Sequence, residues 1–212
     1  MPEPFCFHSE VNLITLLGLK AKNPADLLTC LSQVPNSSVY YHTHRFLQQH
    51  HYLYPEPPND FAYWVTNILG LEALGERLAS IDIAQFTTIE DLRQAFIANL
   101  SDYIDSGKYC LDCEKGEEFH FMSCISVVIP TPYVAHSVGE FLDIIPKLSI
   151  HSLYFHVFEA RMRLSNSEND FSRWFRDRGM NELAQEVSHL DPYTITLEGL
   201  RKKIIKAVSR YV

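Results

Sequence analysis

No stretch of the chain approaches the roughly 18 consecutive apolar residues that a membrane-spanning helix needs, so a membrane partner is not expected. Positive charge is not in excess either: 18 Lys and Arg stand against 26 Asp and Glu, a formal net charge of -8. Proteins that track a phosphate backbone show a basic face, so nucleic acid is also not an expected partner. The start, MPEPFCFHSE, has no positive segment ahead of an apolar run and does not read as a secretory signal. Five cysteines make an odd count without small-scaffold spacing. Reduced thiols in a cytoplasm fit that better than a disulfide framework. Only eight glycines are present, and G-x-S-x-G, H-E-x-x-H and a glycine-rich phosphate loop are all missing. No motif fixes a reaction, so the reading leans away from an enzyme and leaves any catalytic residue unassigned.

What the sequence does have is a phrase written twice. PPNDFAYW stands at 57 to 64 and SENDFSRW at 167 to 174. FCFHS (5 to 9) matches FHFMS (119 to 123), and VYYH (39 to 42) matches LYFH (153 to 156), both at a shift of 114. From Asn-Asp-Phe to Trp the shift is 110, so the first spelling carries four extra residues between its His and its Asn. LEALGERLASID then lies on MNELAQEVSHLD, and TIEDLR on TLEGLR. Blocks in the same order imply a tandem duplication: copy 1 over residues 1 to 104, a linker over 105 to 118, and copy 2 over 119 to 212. Two such copies are expected to pack with pseudo-two-fold symmetry into one compact body.

The elements follow from punctuation and period. Asn23, Pro24 and Asp26 mark a helix start, as N-cap, first helical residue and first-turn acid. Ser137 with Glu140, and Thr88 with Asp91, stand at capping-box spacing. Val39, Thr43, Phe46, Leu47 and His50 share a helical face, and Phe61, Trp64, Val65 and Ile68 form a stripe that stops at Gly70. FHFMSCISVVI alternates as a short strand with FCFHS as its twin. The expected fold class is α+β, mainly α, a duplicated strand-plus-helices unit with a small sheet.

Residues shared by both spellings are scaffold candidates. Asn59 or Asp60 is placed to cap one helix, and Asp60 and Asp170 stand where a capping carboxylate would accept backbone N–H groups. Phe61, Phe171, Trp64 and Trp174 are core anchors. His42 and His156, each after two aromatics, fit buried imidazoles bonded to the nearby Asp cap or to a carbonyl. Arg93 and Arg201 are placed to bridge helices or copies.

Subtracting this frame leaves two segments. Residues 44 to 58, HRFLQQHHYLYPEPP, carry His44, Arg45, His50, His51, Tyr54 and Glu56 before a proline-rich turn. Prolines lower the cost of ordering and tyrosines supply contact area with few rotors, so this reads as an exposed binding edge. Imidazoles at i and i+7 also allow a metal reading through His42, His44, His50 or His51. The second segment is CLDCEKGEEFHFMSC, where Cys110 and Cys113 are at metal-knuckle spacing and His120 and Cys124 would face one way on a strand. These four are candidate ligands for a structural zinc; otherwise no cofactor is expected.

The combination of YYHTHRFLQQHH, PEPPNDFAYWV and LGERLASID with CLDC, EFHFM, SLYFHVFEARMRL, NDFSRW and LDPYTITLEGLR resembles, over nearly the whole chain, a bacterial family known only as a domain of unknown function. The resemblance implies no activity, substrate or cofactor. The functional expectation is a non-enzymatic cytoplasmic binding or adaptor protein presenting residues 44 to 58 to a protein or small-molecule partner. The alternative is a metal-dependent hydrolase built on His42, His44, His50 and His51.

Overall fold

The computed structural model describes residues 3–45, 58–107, 112–160, 168–190 and 195–212. It is mainly helical, with one two-stranded antiparallel sheet. Among the described residues no helix is long and apolar enough to cross a membrane. Strands β1 (Phe5–Ala21) and β2 (Phe119–Ala135) each run 17 residues, well beyond the short strands expected. Pro130 and Pro132 lie inside β2, which both strands' edge position permits, since an edge N–H need not be paired. In β1, Gly18 sits at φ 76, a bend that a side chain would strain.

The chain divides into two compact units that cut both strands near their middles. An inner unit holds the described residues from Leu13 to Ile125; a flanking unit joins residues 3–12 to those from Ser126 onward. This division differs from the chain order expected of copies at 1 to 104 and 119 to 212.

In the inner unit, α1 (Pro24–Gln33) starts as its sequence dictates: the Asn23 side chain accepts from the Asp26 N–H at 2.9 Å. Helix α2 (Asn36–Tyr40) runs into a π turn, Tyr41–Arg45. Then come α3 (Asp60–Asn67), α4 (Glu72–Ala79) and α5 (Ile89–Asp105). Their core includes Leu31, Phe61, Leu78, Phe96 and Leu100, closed by Phe119 and Phe121 from β2. Helices α3 and α4 approach closely at Gly75, where a Cβ would stand 1.9 Å from Thr66 Oγ1. Arg93, on α5, donates from Nη1 to the carbonyls of Leu31 and Val34 at 3.1 and 2.7 Å, closing the end of α1. Carbonyls there have no intrahelical partner, and a cation suits the negative end of the helix.

The flanking unit holds the remaining described helices. Helices α6 (Val138–Ile144) and α7 (Ile150–Tyr154) lead to a second π turn, Phe155–Glu159, followed by α8 (Asp170–Asp177), α9 (Asn181–Ser188) and α10 (Leu197–Val208). Its core joins Phe141, Phe171, Phe175, Leu200 and Ile204 to Phe5 and Phe7 from β1. Each buried Phe contributes on the order of 1.5–3 kcal/mol. Arg201 donates from Nη1 to the carbonyls of Ile145 and Leu148 at 2.7 and 2.8 Å. Both arginines therefore bridge elements inside their own unit.

Of the two cap candidates, Asn59 and Asp60, the asparagine is the cap, and its counterpart Asn169 takes the place expected of Asp170. Asn59 and Asn169, rather than Asp60 and Asp170, accept the first-turn N–H groups, from Ala62 at 2.8 Å and from Ser172 at 2.9 Å. Each amide also donates to the end of the next helix, Asn59 to Leu78 and Asn169 to Val187. One asparagine thus ties two helix termini together, leaving the neighbouring aspartate available to histidine.

Candidate ligand-binding cleft

His156 is the second residue of its π turn, a form of helix frequent at functional sites. Its Nδ1 is 2.8 Å from Asp170 Oδ2, and its Nε2 is 2.8 Å from the backbone nitrogen of His8. A backbone N–H can only donate, so Nε2 is the acceptor and the ring proton sits on Nδ1, facing the carboxylate. His42 holds the same place in the inner unit, 2.7 Å from Asp60 Oδ2 and 2.9 Å from the Met122 nitrogen. Each imidazole joins a strand to a helix start with both nitrogens used.

Beside His156 the flanking unit opens a cleft of about 700 Å³, within the ~300–1,000 Å³ range of small-molecule sites. Its polar lining includes Cys6, His8, Asp170, Arg173, Asp177 and Arg178. Residues 170, 173, 174 and 177 share one face of α8 by helical spacing. The Arg178 guanidinium lies 3.7 Å from the centre of the Trp174 ring and donates to the Glu3 carbonyl at 2.7 Å. Trp174 Nε1 donates to the same carbonyl at 3.1 Å. Burial lowers the Arg178 pKa, and the carboxylate of Asp177 works in the opposite direction. Arg173 is exposed at the same cleft, and its guanidinium has no hydrogen bond or ion pair with a described residue.

The inner unit spells the corresponding positions differently. Where the flanking unit has His8, Arg173, Asp177 and Arg178, it has Met122, Tyr63, Asn67 and Ile68. Trp64 keeps its bond, donating to the Glu117 carbonyl at 2.7 Å. The cleft residues lie outside the insertion after His42 and the linker, inside phrases that otherwise match between the copies. Comparing the paired phrases position by position exposes them: DFAYWVTNI against DFSRWFRDR.

The residues picked from the sequence do not gather in this cleft. His44 is buried, with 4% of its surface exposed, and stacks on Tyr40 at 5.5 Å between centroids. Burial pushes its imidazole down to about 4, so it is neutral near pH 7. An exposed binding edge therefore does not begin at His44. Arg45 is half-buried, and His50, His51, Tyr54 and Glu56 lie outside the described residues. Of the zinc candidates, Cys110 also lies outside them. Cys113 and His120 are half-buried and Cys124 is buried, its Sγ 3.9 Å from the Ser37 carbonyl. Burial, then the charges of Glu118 and Asp112, raise the Cys113 thiol. Among the described residues no three His, Cys, Asp or Glu side chains form a group able to hold a metal.

Fold and cleft together define a mainly helical protein with a two-stranded antiparallel sheet and an open cleft of about 700 Å³ in its flanking unit. Over residues 2–209 the chain matches the model of a family of unknown function (DUF5752), and it belongs to that family. It is similar to OrfY from Thermoproteus tenax, whose solved structure superposes with a TM-score of 0.82 at 28% sequence identity, covering 98% of this chain and 95% of that one. No curated protein matches the chain.

Proposed function

We propose that the protein is a non-enzymatic, cytosolic binding protein that holds a small molecule in the cleft of its flanking unit. The observation that carries this reading is the pairing of an open polar cleft with a His156–Asp170 pair that has no free ring nitrogen. A histidine acting as general base needs an unoccupied nitrogen within reach of the substrate. Here that nitrogen accepts a backbone N–H, so the pair supports the wall of a binding site.

We further propose a tandem duplication in which the copies have traded leading strands. Phe5 and Phe7 close the core built by the second copy's helices, and Phe119 and Phe121 close that of the first. The recurring π turn, His–Asp pair, bridging Asn and helix-closing Arg support a common ancestor for both copies.

A partner-facing role for residues 44 to 58 has less support, because His44 is buried. A metal-dependent hydrolase on His42, His44, His50 and His51 also has less, because both nitrogens of His42 are engaged and His44 is stacked on Tyr40. Metal content of tag-free protein tests it directly.

The binding reading is tested by native mass spectrometry of protein taken from cells. Cys6 is exposed and lines the cleft, so Cys6→Trp fills space there while Cys6→Ser leaves it open. A co-purifying small molecule is expected on the wild type and Cys6→Ser and absent from Cys6→Trp. Wild-type protein that carries none, and gains no thermal stability from a metabolite extract, overturns it.

A further inference from the structure

We infer that the ligand of this cleft bears an anionic group, a carboxylate or a phosphate ester, and that Arg173 anchors it. The inference rests on the binding reading above and adds the chemical class.

Three observations point the same way. First, Arg178 is already committed: its guanidinium lies on Trp174 and bonds the Glu3 carbonyl. Arg173 lines the same cleft from within α8, on the face shared with Asp170, Trp174 and Asp177, and has no such tie. A guanidinium presents paired donors that match a carboxylate or phosphate, and it recognises little else as well.

Second, the cleft departs from its inner-unit counterpart in a consistent direction. Two arginines replace Tyr63 and Ile68, Asp177 replaces Asn67, and Pro4 stands where the counterpart has Glu118. Two positive charges and one negative charge are gained and one negative charge is lost, so the cleft is more positive by two. His8 stands in place of Met122 and Cys6 in place of His120, so the imidazole count is unchanged and the difference lies in the charged residues. A shared scaffold role cannot explain these changes, since the inner unit keeps its fold without them.

Third, Asp170 is occupied by the Nδ1–H of His156. Its charge is thereby directed away from an incoming anion. The exposed Asp177 then serves as an acceptor for hydroxyl or amine groups elsewhere on the ligand.

The chain has two tryptophans, so Trp64→Phe leaves Trp174, on the cleft wall, as the reporter. Citrate and inorganic phosphate are titrated as carboxylate and phosphate probes, with spermidine and glycerol as cationic and neutral ones. Saturable quenching by citrate or phosphate is expected, weakened about tenfold or more by Arg173→Gln, the loss of one charge-assisted contact. Lys202→Gln, on exposed α10 surface outside the cleft, should leave it unchanged. A preference between citrate and phosphate identifies which source of negative charge is bound. No response to either anion, or a response equal in Arg173→Gln, overturns the inference. If spermidine or glycerol binds instead, the cleft is still a ligand site and only the class is wrong. If no probe binds and no small molecule co-purifies, the binding reading fails with it.

Discussion

His156 accepts the backbone N–H of His8 at Nε2, 2.8 Å away, while its Nδ1 faces Asp170 at 2.8 Å. The arrangement requires a neutral ring carrying its proton on Nδ1, the less common tautomer of a free histidine side chain. Nitrogen NMR of selectively labelled protein should show protonated Nδ1 and bare Nε2 at both His156 and His42. Asp170→Asn removes the charged acceptor and is expected to cost about 1.5–3 kcal/mol, read from denaturant unfolding. An Nε2–H tautomer at either position would rule out the strand-to-helix tie described here.

Tyr40 stacks on His44 in the inner unit as Tyr154 stacks on Phe158 in the flanking one, with interplanar angles of 11° and 17°. The inner unit has thus placed a titratable ring where its counterpart has a phenyl. With its pKa lowered to about 4 by burial, His44 stays neutral in the folded chain while the unfolded chain binds a proton below about 6.5. The unfolded state then holds more protons between these values, so stability falls as pH drops from about 6.5 to about 4. His44→Phe should remove that part of the slope, worth up to about 3 kcal/mol at the acid end. Parallel unfolding curves of wild type and variant from pH 7 to pH 4 would count against it.

Much of the helical frame was legible because it depends on local chemistry. Asn23 with Pro24, and Ser137 with Glu140, place helix starts where they are observed. The histidine–aspartate partnership was also legible, since both members recur together. Strand length was not: VNLITLLGLK carries no clean alternation, and Pro130 and Pro132 argue against a strand unless it lies at an edge. The π turns were not legible either, because a one-residue shift in the apolar phase over so short a helix cannot be told from ordinary irregularity in the stripe. Which helices each strand closes over is a long-range choice, and Phe5 and Phe119 sit in equivalent phrases that give no hint of it. The cleft was legible in part. Arg173 and Arg178 differ from Tyr63 and Ile68 inside an otherwise matched phrase, but a surface charge on a helix is commonplace until a cavity is seen beside it.

Arg201 puts one guanidinium nitrogen on two carbonyls that end a helix, Ile145 and Leu148, while Glu198 holds its other nitrogens. Arg201→Met keeps much of the apolar stem but strands both carbonyls. Each buried acceptor left unpaired costs about 1–3 kcal/mol, so a loss of several kcal/mol is expected. Arg201→Lys should recover only part of it, because a single ammonium cannot hold both carbonyls and Glu198 as Nη1, Nε and Nη2 do together. Glu198→Gln, on the exposed side, should cost under about 1 kcal/mol. Chemical denaturation of the three variants gives the order, and equal losses for Lys and Met would mean that the second carbonyl contact contributes nothing.

Phe7 has 1% of its surface exposed and Phe121 has none, yet each closes a different core. Phe7 meets Phe141 and Phe171, in the unit that holds Trp174; Phe121 meets Phe61, in the unit that holds Trp64. Either Phe→Ala change removes a large buried ring, at a cost of about 3–5 kcal/mol. The signature that separates them is optical. In a Trp64→Phe background the remaining Trp174 should become more accessible to acrylamide on Phe7→Ala and respond little to Phe121→Ala. In a Trp174→Phe background Trp64 should show the opposite. If strands instead closed over the helices that follow them in sequence, Phe7 would govern Trp64, and the two pairs of responses would be reversed.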